Sequence, residues 1–293
     1  MRRFVSMKQF EETLHEGFRI VLSVSSILYH EKTSHQELII FDNPIMGRVL
    51  ALDHVIQTTS RDEYIYHEML VHPALVSCHC WRHHVGDSSP IDVLVIGGGD
   101  GGTVRELLRY PSTHVVMVEI DRSVIDLCRR YLPDHSLGAF ENERLHVDIA
   151  DGASYVKECG KTFDVIIVDS TDPIGPGEAL FGEEFFTHSK HLLKEGGIFV
   201  NQNGVSFLQG DSIKRTHHVL KRLYRAHRFY QACVPSYVGG VMMFAWGSDM
   251  ALHGRWTRAQ RKAAQERSAV GPMRHYTPDV HQASFVLPMD CPI

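Results

Sequence analysis

No apolar run in this 293-residue sequence approaches the roughly 20 residues of a membrane span. No long basic block offers a face to nucleic acid. There is no internal repeat, no low-complexity tract, and no HExxH pair among the 20 histidines. Six cysteines (78, 80, 128, 159, 233 and 291) are too scattered for a disulfide scaffold and read as reduced thiols. The cluster Cys78-His79-Cys80 with His83 and His84 lacks a common zinc-site spacing and a second cysteine pair. It reads as a His-rich surface loop, and no metal is expected. The opening MRRFVSMKQFEETLHEG turns polar too early for a signal peptide, which makes the cytoplasm the expected location. Nucleic acid and membrane are thus set aside as partners. What is present is an ordinary globular composition, 43% hydrophobic and 22% charged. Its net charge of −5 suits a cationic ligand.

The most informative stretch is Asp92 to Asp100, DVLVIGGGD, followed by Gly101 and Gly102. An apolar run of strand length breaks into glycines and then into a helical pattern, the usual cradle for a nucleotide. An acid, Asp100, sits inside this cradle. Beside a pyrophosphate it would be repelled by about 4 kcal/mol at about 4 Å and an effective dielectric of about 20. The loop therefore suits a nucleoside that carries positive charge, a sulfonium with an amine, and points away from NAD and ATP.

Around this loop the chain divides in two. From Glu16 to Thr59 short β-rich runs (18–22, 37–41, 48–52 and 55–57) are separated by turn signals and imply a small antiparallel β-domain. A helix pattern over Asp62–Leu75 follows, with Asp62 as N-cap. The polar stretch 79–90 reads as an irregular boundary. The expected domains are 1–75, the β-domain with its linking helix, and 76–293. From Ile91 onward strands (93–96, 115–119, 145–147, 165–169 and 198–201) alternate with helices (near 103–110, 122–131, 152–159, 182–194 and 211–224). Two closing strands, 229–234 and 241–246, form a hairpin. The fold class is α/β, a parallel sheet with ligands at its carboxyl edge. The hairpin resembles the ending of the Rossmann-like seven-stranded sheet of AdoMet-dependent transferases. Arg255–Arg267 reads as a basic, solvated helix face.

Acids fall at the ends of four successive predicted strands. Asp100 follows the first. Glu119 ends the second, twenty residues beyond Gly99, where a carboxylate accepts bonds from ribose hydroxyls. Asp151-Gly152 follows the third and suits an adenine amine and ring nitrogen. Asp169 and Asp172 end the fourth, in DSTDPIGPG. Helix capping explains any one of these acids equally well, but not four on one rim. Paired carboxylates beside the reacting centre suit a polyamine, whose ammonium groups bind them directly. Gln36, Tyr66 and His67 form a further group nearer the N-terminus; a lone His on a helix is by itself unremarkable as a structural residue.

These residues resemble the spermidine synthases (polyamine aminopropyltransferases) of bacterial type over nearly the whole chain. The likeness rests on LYHEKTSHQELIIF, LDHVIQTTSRDEYIYHEM, VLVIGGGDGG, VEID, DSTDPIGPGEALF and PSYVGG. It implies aminopropyl transfer from decarboxylated AdoMet, a co-substrate and not a resident cofactor, to putrescine. The products would be spermidine and methylthioadenosine, and the assembly a homodimer or homotetramer. By motif position, Asp100 would meet the donor's ammonium, Glu119 its ribose, Asp151 and Gly152 its adenine with Pro176 nearby, and Gln36 its sulfur region. Asp169 would accept the proton, passing it on through Tyr66 or Tyr237 and water. Tyr66, His67, Asp169, Asp172, Gln202 and Tyr237 would line the amine channel. Phe10 stands where family members commonly have Trp, which implies a looser wall of that channel. Two other readings share much of this pattern. A small-molecule methyltransferase leaves Asp100 beside a donor carboxylate, and a non-catalytic nucleoside- or polyamine-binding protein leaves the Asp169–Asp172 pair without a purpose.

Overall fold

The computed structural model describes residues 8–173, 175–250 and 256–293, with backbone alone at 175 and 176. Gln9–Glu11 (β1) and Val21–Ser23 (β2) form a short antiparallel ribbon. Ser26–Lys32 (β3), Glu37–Asn43 (β4), Gly47–Leu52 (β5) and Val55–Thr59 (β6) form a four-stranded antiparallel sheet in chain order. Only the end of the expected 18–22 strand joins β2. The expected runs include nothing for β3, none of whose residues is fully buried, so it lacks the apolar alternation of a covered strand. The run Leu38-Ile39-Ile40-Phe41 in β4 is buried on both faces because successive side chains point to opposite sides. Ile39 and Phe41 pack with Phe10, Val49 and Ile56, while Leu38 and Ile40 meet Val124, Cys128 and Leu132.

A long helix, Glu63–Val85 (α1), leads into a seven-stranded sheet. Its strands are Ile91–Gly97 (β7), Thr113–Glu119 (β8), Leu145–Ile149 (β9), Phe163–Asp169 (β10), Leu193–Val205 (β11), Ala226–Cys233 (β12) and Val241–Ser248 (β13). The helices are Gly102–Leu108 (α2), Arg122–Tyr131 (α3), Pro133–Ser136 (α4), Gly152–Glu158 (α5), Glu183–His191 (α6), Gly210–Leu223 (α7), Arg258–Arg267 (α8) and Pro278–Ser284 (α9). The order is β12-β13-β11-β10-β7-β8-β9, with β13 antiparallel to both its neighbours and the other six strands running in one direction. Val93, Val95, Val165 and Ile167 face α1 and α2, while Leu94, Ile96, Ile166 and Val168 face α5 to α7. The winding reverses between β7 and β10, so the loops after these two strands part and open a crevice. No helix among the described residues is long and apolar enough to cross a membrane.

Helix α1 corrects two expectations. It does not stop at Leu75, and the stretch from Cys78 to His84 is not a surface loop: the helix runs on to Val85, and Cys78 and Cys80 are buried. It is covered by α2, β11 and α8, so tertiary burial overrides the polar look of CHCWRHHV. The buried Arg82 is matched by Asp87 and Asp164 and donates to the Pro90 carbonyl. Gly86 ends the helix in the left-handed conformation (φ 75°), its amide capping the last turn. The expected domain boundary at 75/76 falls inside this helix. Asp62 holds the N-cap position, but its carboxylate does not cap: it accepts from Thr59 Oγ1 (2.6 Å) and the Ser236 amide (2.7 Å). The basic α8 is not wholly solvated either, since Arg261 and Ala264 are buried against the body of the protein; residue 255 lies outside the described residues.

Pro73 interrupts the α1 ladder because it has no amide hydrogen to give the carbonyl four residues back. That carbonyl, of Met69, accepts the Tyr230 hydroxyl instead (2.9 Å). Tyr230→Phe should therefore lower stability by about 1–3 kcal/mol, the cost of orphaning a buried acceptor, without changing catalytic rates. Denaturant unfolding in wild-type and Pro73→Ala backgrounds tests this; an equal loss in both would refute it, because alanine restores the missing donor.

Candidate active site

The crevice at the reversal point holds a cavity of about 340 Å³. A second of about 50 Å³ adjoins it along the loop after β10. Gln36, Tyr66, His67, Asp100, Glu119, Asp151, Gly152, Asp169, Asp172 and Tyr237 line the larger one, and Tyr66, Asp172, Gln202 and Tyr237 line the smaller. Residues spread over more than 200 positions of sequence thus meet in one crevice. The side chain of Pro176 lies outside the described residues.

The glycines of the first loop are there for close approach. Gly97 has φ 83°, and a Cβ on it would stand 2.1 Å from the Asp169 carbonyl. A Cβ on Gly102 would stand 2.3 Å from the His67 ring. With that space free, His67 reaches Asp100: Nε2 lies 3.3 Å from Oδ2. The other oxygen of Asp100 accepts the Gly102 amide (2.9 Å). His67 Nδ1 donates to Glu63 Oε2 (2.8 Å), and Glu63 in turn receives both terminal nitrogens of Arg105 (2.9 and 3.1 Å). Burial alone would lower the His67 pKa, but Asp100 and Glu63 on either side raise it well above the usual value. Burial would raise Asp100, yet the imidazolium holds it well below the usual carboxylate range. His67, Asp100 and Asp169 bring ligand-type atoms together, but an imidazolium donating from both nitrogens has no lone pair to offer a metal.

Asp169 ends β10 beside Gly97 of β7. Its Oδ1 accepts the Tyr66 hydroxyl (2.8 Å) and its Oδ2 the Thr103 hydroxyl (2.7 Å). Burial, with the charge of Asp100, pushes the carboxyl up, against the pull of His67 and of both hydroxyls. Tyr66 and Tyr237 stack edge to face at 5.9 Å, and burial pushes both phenols up, so both remain neutral donors. The Tyr237 hydroxyl donates to the Gln57 carbonyl (2.8 Å), a bond that commits its proton to β6 and takes it out of the expected relay.

Further along the rim, Glu119 is buried and pushed up to about 7, and its Oε1 accepts the Asp121 amide (3.0 Å). Gln36 Nε2 donates to Asp121 Oδ2 (3.3 Å), which places it next to Glu119. Asp151 caps α5 through the Ser154 amide (2.9 Å), so for this acid the capping role is real and coexists with its place on the cavity wall. Gly152 lies where a Cβ would stand 2.4 Å from Ile96.

In the smaller cavity Asp172 accepts from Gln209 (2.9 Å) and is pushed up by burial. Gln202 does line this space, but its polar atoms are committed to backbone: Nε2 donates to the Ser170 and Thr171 carbonyls and Oε1 accepts the Gly204 amide. It shapes the DSTD loop and leaves no free amide for a ligand. Opposite Asp172 stands a residue absent from the sequence-based set, Glu12. It is buried, accepts the Ile56 amide (2.9 Å), and is pushed up to about 7 by burial, with Asp172 adding to the effect. Glu63, Arg105 and Thr103 are likewise absent from that set; nothing local in the sequence marks them, because their partners lie on other elements. Phe10 lines neither cavity. It packs on Phe41 (5.0 Å between ring centroids) inside the N-terminal sheet, so it is not a wall of the amine channel.

A seven-stranded sheet with this winding and an acid-rimmed crevice at its reversal point defines a Rossmann-like transferase. The spermine/spermidine synthase domain matches residues 63–255, and the spermidine synthase tetramerisation domain matches residues 9–60. The chain is 48% identical over 278 residues to a polyamine aminopropyltransferase of Pectobacterium carotovorum subsp. carotovorum (strain PC1), covering 94% of this chain and 93% of the relative. It is 48% identical over 280 residues to that of Klebsiella pneumoniae (strain 342), covering 95% and 94%. Among solved structures, a spermidine synthase in complex with the transition-state analogue AdoDATO superimposes with a TM-score of 0.87 at 32% identity, covering 97% of this chain and 93% of that one. The spermidine synthase of Thermotoga maritima gives 0.83 at 31%, covering 97% and 92%. This chain belongs to the spermine/spermidine synthase family.

Proposed function

We propose that this protein transfers the aminopropyl group of decarboxylated S-adenosylmethionine to putrescine, giving spermidine and methylthioadenosine. The observation that carries the reading is the placement of Asp169 on the wall of the larger cavity, at the start of the loop that continues into the smaller one. On this reading the larger cavity takes the donor: Asp100 receives its ammonium, Glu119 its ribose, Asp151, Gly152 and Pro176 its adenine, with Gln36 near the sulfur. The smaller cavity takes the distal ammonium of putrescine between Glu12 and Asp172, and His67, Tyr66 and Tyr237 wall the reacting end.

In the reaction the amine lone pair attacks the propyl carbon next to sulfur. The carbon–sulfur bond breaks, its electron pair goes to sulfur, and a neutral thioether leaves. A primary amine titrates near about 10.4, so at pH 7 the neutral form costs about 4–5 kcal/mol to supply. Asp169 lowers that cost by accepting the proton. An ordinary carboxyl near about 4 is a poor match for an ammonium, and burial of Asp169 narrows the gap. Holding both reactants in line contributes several kcal/mol more on the order of known proximity effects. A panel of amines with decarboxylated and intact donors, read by product mass, tests the reading. Methylated product from intact AdoMet would favour a methyltransferase, and binding without turnover a carrier.

The match of residues 9–60 to a tetramerisation domain supports an oligomer, and we propose a homodimer or homotetramer located in the cytoplasm. The functional units are an N-terminal β-unit and a Rossmann-like catalytic unit. Although the boundary was expected at 75/76, α1 belongs with the second, because it packs on α2, β10 and β11.

Glu12 gives this reading a pH signature. Its folded pKa of about 7 lies above the usual 4.5, so the folded state holds the extra proton between these values and stability falls as pH rises from 4.5 to 7. Glu12→Gln should therefore stabilise the unliganded protein at pH 8 by on the order of 3 kcal/mol and leave it nearly unchanged at pH 4.5. The same change should raise the KM for putrescine about tenfold or more, through loss of a charged hydrogen bond. Melting temperatures at both pH values and steady-state kinetics check it. An identical stability gain at both, or an unmoved KM, would count against the assignment.

A further inference from the structure

We infer that Thr103 is a positioning residue for aminopropyl transfer, one whose hydroxyl fixes the rotation of the Asp169 carboxylate. The inference rests on the reading of Asp169 as proton acceptor. Thr103 is the second residue of α2 and fully buried. A threonine in a helix ordinarily turns its hydroxyl back to a carbonyl three or four residues earlier. Here it crosses to the end of another strand and donates to Asp169 Oδ2 at 2.7 Å.

The geometry gives this bond a particular effect. The carboxylate torsion of an aspartate is broad and soft, so a single hydrogen bond leaves the group free to swing. Asp169 has one hydroxyl on each oxygen, Tyr66 on Oδ1 and Thr103 on Oδ2. Together they pin the plane and leave each oxygen further lone-pair capacity for the amine. Gly98 backs the same oxygen, where a Cβ would stand 3.1 Å from Oδ2, so the loop leaves no side chain there to hold it instead. Both hydroxyls also oppose the burial that favours the neutral acid.

The charged and titratable groups around Asp169 are Asp100 and His67 in front, Tyr66 and Tyr237 beside it, and Glu119 further along the rim. Thr103 itself carries no charge. A change in the pH profile on its replacement therefore reports the state of its partner.

The test compares Thr103→Val, Thr103→Ser and Asp169→Asn in the full-length protein. Valine keeps the shape and removes the donor. At pH 7 the Val variant should lose about tenfold in kcat, with donor affinity within about twofold, and the acid limb of its kcat–pH profile should move up by about one pH unit, as expected for a lost hydrogen bond to a charged group. Serine should restore both rate and limb. If the Asn variant is inactive while the Val variant shows a wild-type profile, Thr103 only fills space and the inference fails alone. If Val loses donor binding as well and Ser does not restore it, the role is packing and the inference also fails. If the Asn variant turns over normally, the reading of Asp169 fails and takes this inference with it.

Discussion

Asp169→Asn should lower turnover by about 10²–10⁴-fold, the usual worth of a positioned acid–base group, while donor affinity changes little. Asparagine has nearly the same shape and retains an oxygen to accept one of the two hydroxyls that now bond the carboxylate. What it loses is the ability to take a proton. On the proposed reading the donor is held elsewhere on the rim, by Asp100 and Glu119, so its binding should survive. Single-turnover rates with a parallel donor titration separate the two effects. Near-normal turnover would remove Asp169 from the mechanism, and a comparable loss of donor affinity would make it a binding residue.

The second large effect is expected at Asp100. Intact AdoMet carries a carboxylate that its decarboxylated form lacks, and it would enter a region already lined by Asp100 and Asp169. On the proposed reading, Asp100→Asn removes both the attraction for the donor's ammonium and the repulsion of that carboxylate. The preference for the decarboxylated donor should shrink by about 10–100-fold, the range of a single charged hydrogen bond. His67 remains in place because Glu63 still holds its other nitrogen. Dissociation constants for both donors, in both proteins, decide the matter. An unchanged ratio would show that selection against intact AdoMet lies elsewhere.

The parallel sheet was readable because β7 and β10 are covered on both faces and so appear as unbroken apolar runs. The acids at the strand ends followed directly, since a parallel sheet with one reversal of winding puts those ends on a single edge. The second half of α1 was not readable. Cys78 to Val85 has the composition of a loop, and the cover of α8 and β11 makes it a helix whose Cys78, Cys80 and Arg82 are buried. The supporting network was hidden for a different reason. Glu12 meets Asp172 across 160 positions, and Thr103 meets Asp169 across 66. Such pairs leave no periodicity or spacing in the sequence. Gln202 and Tyr237 show the converse: both line the smaller cavity, but their polar atoms are bonded to backbone.

The bond from Tyr230 to the Met69 carbonyl ties the histories of two distant positions together. A lineage that replaced the phenol first would carry a stranded carbonyl in the core until residue 73 regained an amide. One that replaced the proline first would make the phenol dispensable. Neither position can drift independently, and the sequence of the two changes, more than their sum, determines whether every intermediate along the way still folds.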